Sequence, residues 1–107
     1  MVNKKKLPVR WDDSAAQSLQ GIFEIIKEES PIQAKRVKDA LLLLARSLDD
    51  FPEKFSKEFY LADEPNNYRS VSKWSYKMVY EVTDDEIIIV MLFHGRQGQE
   101  VMERLKK

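Results

Sequence analysis

The chain has 107 residues, 43% hydrophobic and 34% charged, which is long enough for one domain over 1–107 with one core and too short for two. Its 18 basic and 18 acidic residues cancel, which counts against a protein that lives by non-specific phosphate binding, since that requires a strong positive excess. Cysteine is absent, which removes disulfides and thiolate metal sites, and no apolar run approaches the roughly 20 residues needed to cross a bilayer.

The first segment, MVNKKK, is basic, but LPVRWDD follows where a signal peptide needs its apolar stretch, so a cytoplasmic location is expected. Residues 7–11, LPVRW, predict a short strand. Pro8 has no amide to donate, so this strand starts late or lies at an edge. Asp12, Asp13 and Ser14 offer N-cap chemistry, and Ser14 with Gln17 has the spacing of a capping box. A helix over about 14–29 follows, with Leu19, Ile22, Phe23 and Ile26 on one stripe. Gly21 inside it costs helix propensity, and close packing against a neighbour would explain it.

Ser30-Pro31 punctuates the chain, serine as N-cap and proline at the first helical position. The second helix, over about 31–49, carries Val37, Leu41, Leu44, Ala45 and Leu48. Leu42 and Leu43 widen its stripe, which predicts burial on more than one side. So short a connection predicts an antiparallel helical hairpin. Phe51-Pro52 ends it, and 53–67 reads as an irregular connection.

Strand patterns then fall at 68–73, 76–82 and 87–93. Thr83-Asp84-Asp85-Glu86 is a polar turn that makes a hairpin of the last two. The run 87–93 is apolar without alternation, which predicts a central strand covered on both faces. Gly95 and Gly98 interrupt the chain, and 99–106 has the pattern of a short terminal helix. The predicted fold is α+β: an N-terminal strand, then a helical hairpin packed on one face of a small antiparallel sheet, in the order β-α-α-β-β-β.

Alternation puts Arg69, Val71 and Lys73 on one side of their strand and Lys77, Val79 and Glu81 on one side of the next. Arg69, Lys73 and Lys77 are expected to share a face near His94 or Arg96, in a register that the sequence does not fix. Such a group can hold phosphates or a partner's carboxylates, or can be an ordinary solvated face. His94 is the only histidine, a residue type suited to acid–base work, or simply hydrogen-bonded. Arg96 follows Gly95 in a position from which a guanidinium can reach, or can form a surface salt bridge. Trp11 and Trp74 are expected in the core, base stacking being the alternative. Spacing reveals no metal-ligand cluster, phosphate loop or serine–histidine–acid set, so neither metal nor other cofactor is expected.

Three stretches, VRWDDSAAQSLQGIFEII, SLDDFPEKF and NYRSVSKWSYKMVYEVTDDEIIIVMLFHGRQ, in this order, resemble the RelE/ParE toxins of type II toxin–antitoxin systems over nearly the whole chain. Leu48 to Pro52 is similar to the family's Leu-x-x-Phe-Pro segment, and His94-Gly95-Arg96 to its closing His-x-Arg. The resemblance implies a plasmid-stabilisation type of toxin that arrests growth and is restrained by a cognate antitoxin protein.

Its target would be translated mRNA on the ribosome, as an mRNA interferase, or DNA gyrase, as an inhibitor. If it is an endoribonuclease, Arg69, Lys73, His94 and Arg96 are the catalytic candidates, and Lys77 would bind RNA or another target. Val71 stands where such enzymes carry a further lysine. Met102 stands roughly where some carry a tyrosine, and a thioether cannot pass a proton, so that role is empty unless His94 fills it. A non-toxic family member that only binds the antitoxin is the alternative.

Overall fold

A computed structural model describes residues 6–95. Within them the order is β1 (Val9–Trp11), α1 (Asp13–Glu29), α2 (Pro31–Ser47), a 3₁₀ turn at Phe59–Leu61, β2 (Asn67–Lys73), β3 (Tyr76–Val82) and β4 (Ile87–His94). This is the expected α+β order. The helix anticipated over 99–106 lies outside the described residues.

Asp12 is the N-cap of α1, in extended conformation, and its carbonyl accepts from the Ala16 amide at 2.9 Å. The helix therefore begins at Asp13, with Ser14 already inside it. The Ser14 hydroxyl donates to the Asp12 carboxylate at 3.2 Å, and the expected box with Gln17 does not form. Ser30 is the whole connection between the helices. Its amide closes α1 on the Ile26 carbonyl, while its hydroxyl accepts from the Gln33 amide at 3.1 Å and opens α2 ahead of Pro31.

The sheet order is β1-β4-β3-β2, with β1 parallel to β4 and the other neighbours antiparallel. β1 is thus an edge strand, and Pro8 contributes only its carbonyl, which accepts from the Ile87 amide at 2.9 Å. Arg10 on β1 donates through both arms of its guanidinium to Glu86, just ahead of β4, at 3.0 and 3.2 Å. In the β3–β4 turn the Thr83 hydroxyl accepts from the Asp85 and Glu86 amides and donates to the Glu86 carbonyl.

Both faces of β4 are covered, as its unbroken apolar run requires. On one face Ala15, Leu19, Leu41, Ala45 and Leu48 from the helical layer meet Met78, Tyr80, Ile87, Ile89 and Leu92. On the other, Leu61 and Tyr60 from the 3₁₀ turn cover Val79, Met91 and Phe93. A β-bulge makes this division possible. Val79 pairs with Met91 but Tyr80 with Ile89, so Val90 has no opposite residue and the side-chain alternation of β4 reverses across it.

Two further sequence expectations fail on the helices. Leu43 is 63% exposed, so the apolar stripe of α2 is buried on one side only. A Cβ added at Gly21 would meet nothing within 4 Å, so no close packing accounts for that glycine. With open space there, Gly21→Ala is expected to raise unfolding stability by about 1 kcal/mol, the propensity difference alone, as measured by urea denaturation. Unchanged or lower stability would show that α1 gains nothing from a better helix former.

Candidate functional site

The sheet register decides which cations can act together. Arg69 pairs with Tyr80 and Lys73 with Tyr76, and Tyr76 in turn pairs with His94. Directly opposed residues share a face, so Arg69, Lys73 and His94 all belong to the side that carries Met78 and Tyr80, the side of the helices. Lys77 pairs with Ser72 and Phe93 and belongs to the opposite face. The expected trio of Arg69, Lys73 and Lys77 on one side therefore does not form. The alternation of each strand is as expected, but the register sets the two strands in opposite phase.

Arg69 is engaged with the connection that leads into β2. Its side chain is only 15% exposed; it donates to the Phe55 carbonyl at 2.8 Å and to Asn67 at 3.1 Å, with Glu53 3.8 Å away. Beside it the Tyr80 hydroxyl donates to the Pro52 carbonyl at 2.8 Å, and burial pushes that hydroxyl up to about 12, so it remains a donor. Backbone pairing completes the strap. The Glu58 amide donates to the Tyr68 carbonyl at 2.9 Å, and the Ser70 amide to the Ser56 carbonyl at 3.2 Å.

Lys77 is committed from the other face. Its ammonium lies 2.7 Å from Oε1 of Glu58, whose side chain is wholly buried. The other carboxylate oxygen of Glu58 accepts from the Tyr60 amide at 2.8 Å. Burial alone would raise the pKa of this carboxyl. Lys77, the Tyr60 amide and the Ser70 hydroxyl outweigh burial and hold it below its ordinary 4.5. Arg69, Tyr80 and Lys77 thus fasten 52–60 across the sheet, so this irregular connection is bound structure rather than a loose loop.

The end of the sheet at the β2–β3 turn is different. Lys73 and Tyr76 are paired, which leaves a two-residue loop of Trp74 and Ser75. Trp74 has φ 55°, a left-handed conformation that favours glycine and costs a bulky residue about 1–3 kcal/mol. Its indole is 59% exposed, contrary to the expectation of a core position, with the Lys73 ammonium 4.9 Å from the ring centre. Trp11, by contrast, packs at the margin of the core.

Ser72, Trp74, Ser75, Tyr76, Lys77, His94 and Gly95 surround an open cleft of about 330 Å³ at this end. His94 lies edge-on to Tyr76, ring centres 5.6 Å apart. The Val90 bulge is what turns His94 toward the side of Tyr76. Arg96 lies outside the described residues. Among the described residues, no group of three or more His, Cys, Asp or Glu can hold a metal ion, and no helix is long and apolar enough to cross a membrane.

The family model described as the ParE toxin of the type II toxin–antitoxin system parDE matches residues 9–98. No curated protein matches the sequence at a significant level. Among solved structures, a chain of the chromosomal ParDE toxin–antitoxin system of P. aeruginosa is similar, with TM-score 0.67 and 16% identity over 83% of this chain and 96% of that one. The RelBE2 toxin–antitoxin complex of Mycobacterium tuberculosis contains another, with TM-score 0.61 and 20% identity over 86% of this chain and 94% of that one. At these identities the likeness is one of fold.

The Glu58–Lys77 pair gives a measurable expectation. Lys77→Met strands a buried carboxylate and should cost about 3–5 kcal/mol, while Glu58→Leu combined with Lys77→Met should recover much of that loss in denaturant titrations. Because folding lowers the pKa of Glu58, its contribution to stability is complete above about 4.5 and is lost as pH falls through the lower folded-state value. Glu58→Gln should therefore flatten the acid limb of the stability–pH curve; an unchanged limb would remove Glu58 as its cause. Arg69→Ala should lower stability by about 2 kcal/mol through the carbonyls it leaves unpaired.

Proposed function

Because the chain belongs to the ParE toxin family of type II toxin–antitoxin systems, we propose that it arrests growth by binding a protein target of the DNA gyrase type and that a cognate antitoxin restrains it. One observation carries the choice of target. Arg69 is spent on the backbone carbonyls of the strap and Lys77 on a buried carboxylate, on opposite faces of the sheet. Cleavage of a phosphodiester needs cations converging on the charge that develops at phosphorus. Arg69 and Lys77 answer to the fold instead. Binding a protein needs no such convergence.

Messenger cleavage on the ribosome is the second reading, favoured by the open cleft at the hairpin end that His94 helps to line. In that reading His94 handles the proton, and Lys73 and Arg96 supply positive charge. Both readings place the action in the cytoplasm. The neighbouring folds come from toxin–antitoxin systems, which supports a protein antitoxin as partner. Ile25, Ile32 and Leu43 stand 63–76% exposed on the helices and provide apolar surface for it to cover.

Induced alone in a bacterial host, the protein is expected to stop growth, relax plasmid supercoiling and leave translated mRNA intact. Cut mRNA with normal supercoiling would overturn the gyrase reading in favour of the ribosomal one. Absence of arrest, with tight binding of the antitoxin retained, would identify a non-toxic binding module.

A further inference from the structure

Trp74 is badly placed for the fold. Its indole is exposed, its backbone is in a region glycine prefers, and it occupies the tip of a tight hairpin that needs no aromatic ring. Strain and exposed apolar area at one residue bring no packing return. Strain and exposure together at one residue point to a role outside the fold.

Around the ring is a chemically mixed setting. The Lys73 ammonium sits over the indole, Ser72 and Ser75 line the adjoining cleft, and the rings of Tyr76 and His94 meet edge-on at its side. Lys77 also lines the cleft, but Glu58 neutralises it, so among the described residues the uncompensated positive charge near the indole is that of Lys73. Among the described residues, none that lines the space bears a carboxylate. Its roughly 330 Å³ falls within the range of about 300–1,000 Å³ typical of small-ligand sites. A flat ring to stack on, an adjacent cation and hydrogen-bonding groups of both kinds fit an unpaired nucleotide.

We propose that the β2–β3 hairpin tip is a nucleotide-binding site, in which the base stacks on Trp74 and the phosphate is held by Lys73. The ligand is an unpaired nucleotide, either within a single strand or free. With one uncompensated cation among the described residues at the site and zero net charge on the chain, binding is weak and only shallowly salt-dependent. The site is independent of the gyrase reading and would stand if that reading failed.

The test is titration of the purified full chain with oligothymidylate, oligoadenylate, a duplex of the two, and thymidine and adenosine monophosphates. Tryptophan fluorescence is the readout for the parent, and anisotropy of dye-labelled probes is the readout for the variants that lack Trp74. The sequence has two tryptophans, so Trp74→Phe assigns the quenching to Trp74 or to Trp11. Trp74→Asn, which tolerates a left-handed backbone, should fold at least as well as the parent yet bind at least tenfold more weakly. Lys73→Ala should weaken binding at low salt and make the slope of log affinity against log salt shallower by about 0.7.

Strand binding tighter than mononucleotide binding supports the proposal with a nucleic-acid strand as source; equal binding supports it with a free nucleotide. Quenching by none of the probes at low salt overturns it. So do duplex binding as tight as single-strand binding and full affinity in Trp74→Asn.

Discussion

A carboxylate taken out of water stays ionised only beside a partner, and Glu58 finds that partner in Lys77. With Arg69 and the Tyr80 hydroxyl acting on the carbonyls of Phe55 and Pro52, this pair fixes the connection between α2 and β2 across the sheet. Leu61 and Tyr60 are thereby pressed onto Val79, Met91 and Phe93, and β4 acquires its second cover. Without the strap the central strand would show an apolar face to water. The core on that side thus depends on a few polar contacts at its margin.

The same contacts bear on function. A cation that satisfies a buried carboxylate or a row of carbonyls cannot also move freely to a phosphate without leaving those groups unpaired. The strap therefore uses up charges that a reading of residue types alone would assign to catalysis. Of the candidate residues that are described, those left over, Lys73 and His94, lie at the hairpin end beside Trp74. That region is built differently from the strap. Its polar groups surround open space, and its backbone carries strain.

The element order was legible in the sequence because each element carries a local reason. Ser30-Pro31 can only end one helix and begin another, Thr83 to Glu86 has the hydroxyl and acids of a tight turn, and the unbroken apolar run of β4 needs cover on both sides. The family resemblance rested on the order of such segments, and the family model matches residues 9–98. Trp74 was also within reach. Two strands separated by two residues force a tight loop, and a residue at its tip cannot be in the core. Hydrophobic character outweighed spacing in the expectation, and spacing was right.

What the residues determine alone is periodicity: which positions of a helix or strand point the same way. They do not determine how one strand slides against the next, since a shift of one residue exchanges faces at no cost to local preference. Only the assembled sheet settled that Lys77 opposes Ser72 and so parts from Arg69 and Lys73, and that Val90 bulges and turns His94 toward Tyr76. Glu58 was equally hidden, because a charged residue in a polar connection reads as solvent-exposed until a buried face closes over it. Local chemistry fixed the elements, and long-range packing assigned each charge its partner.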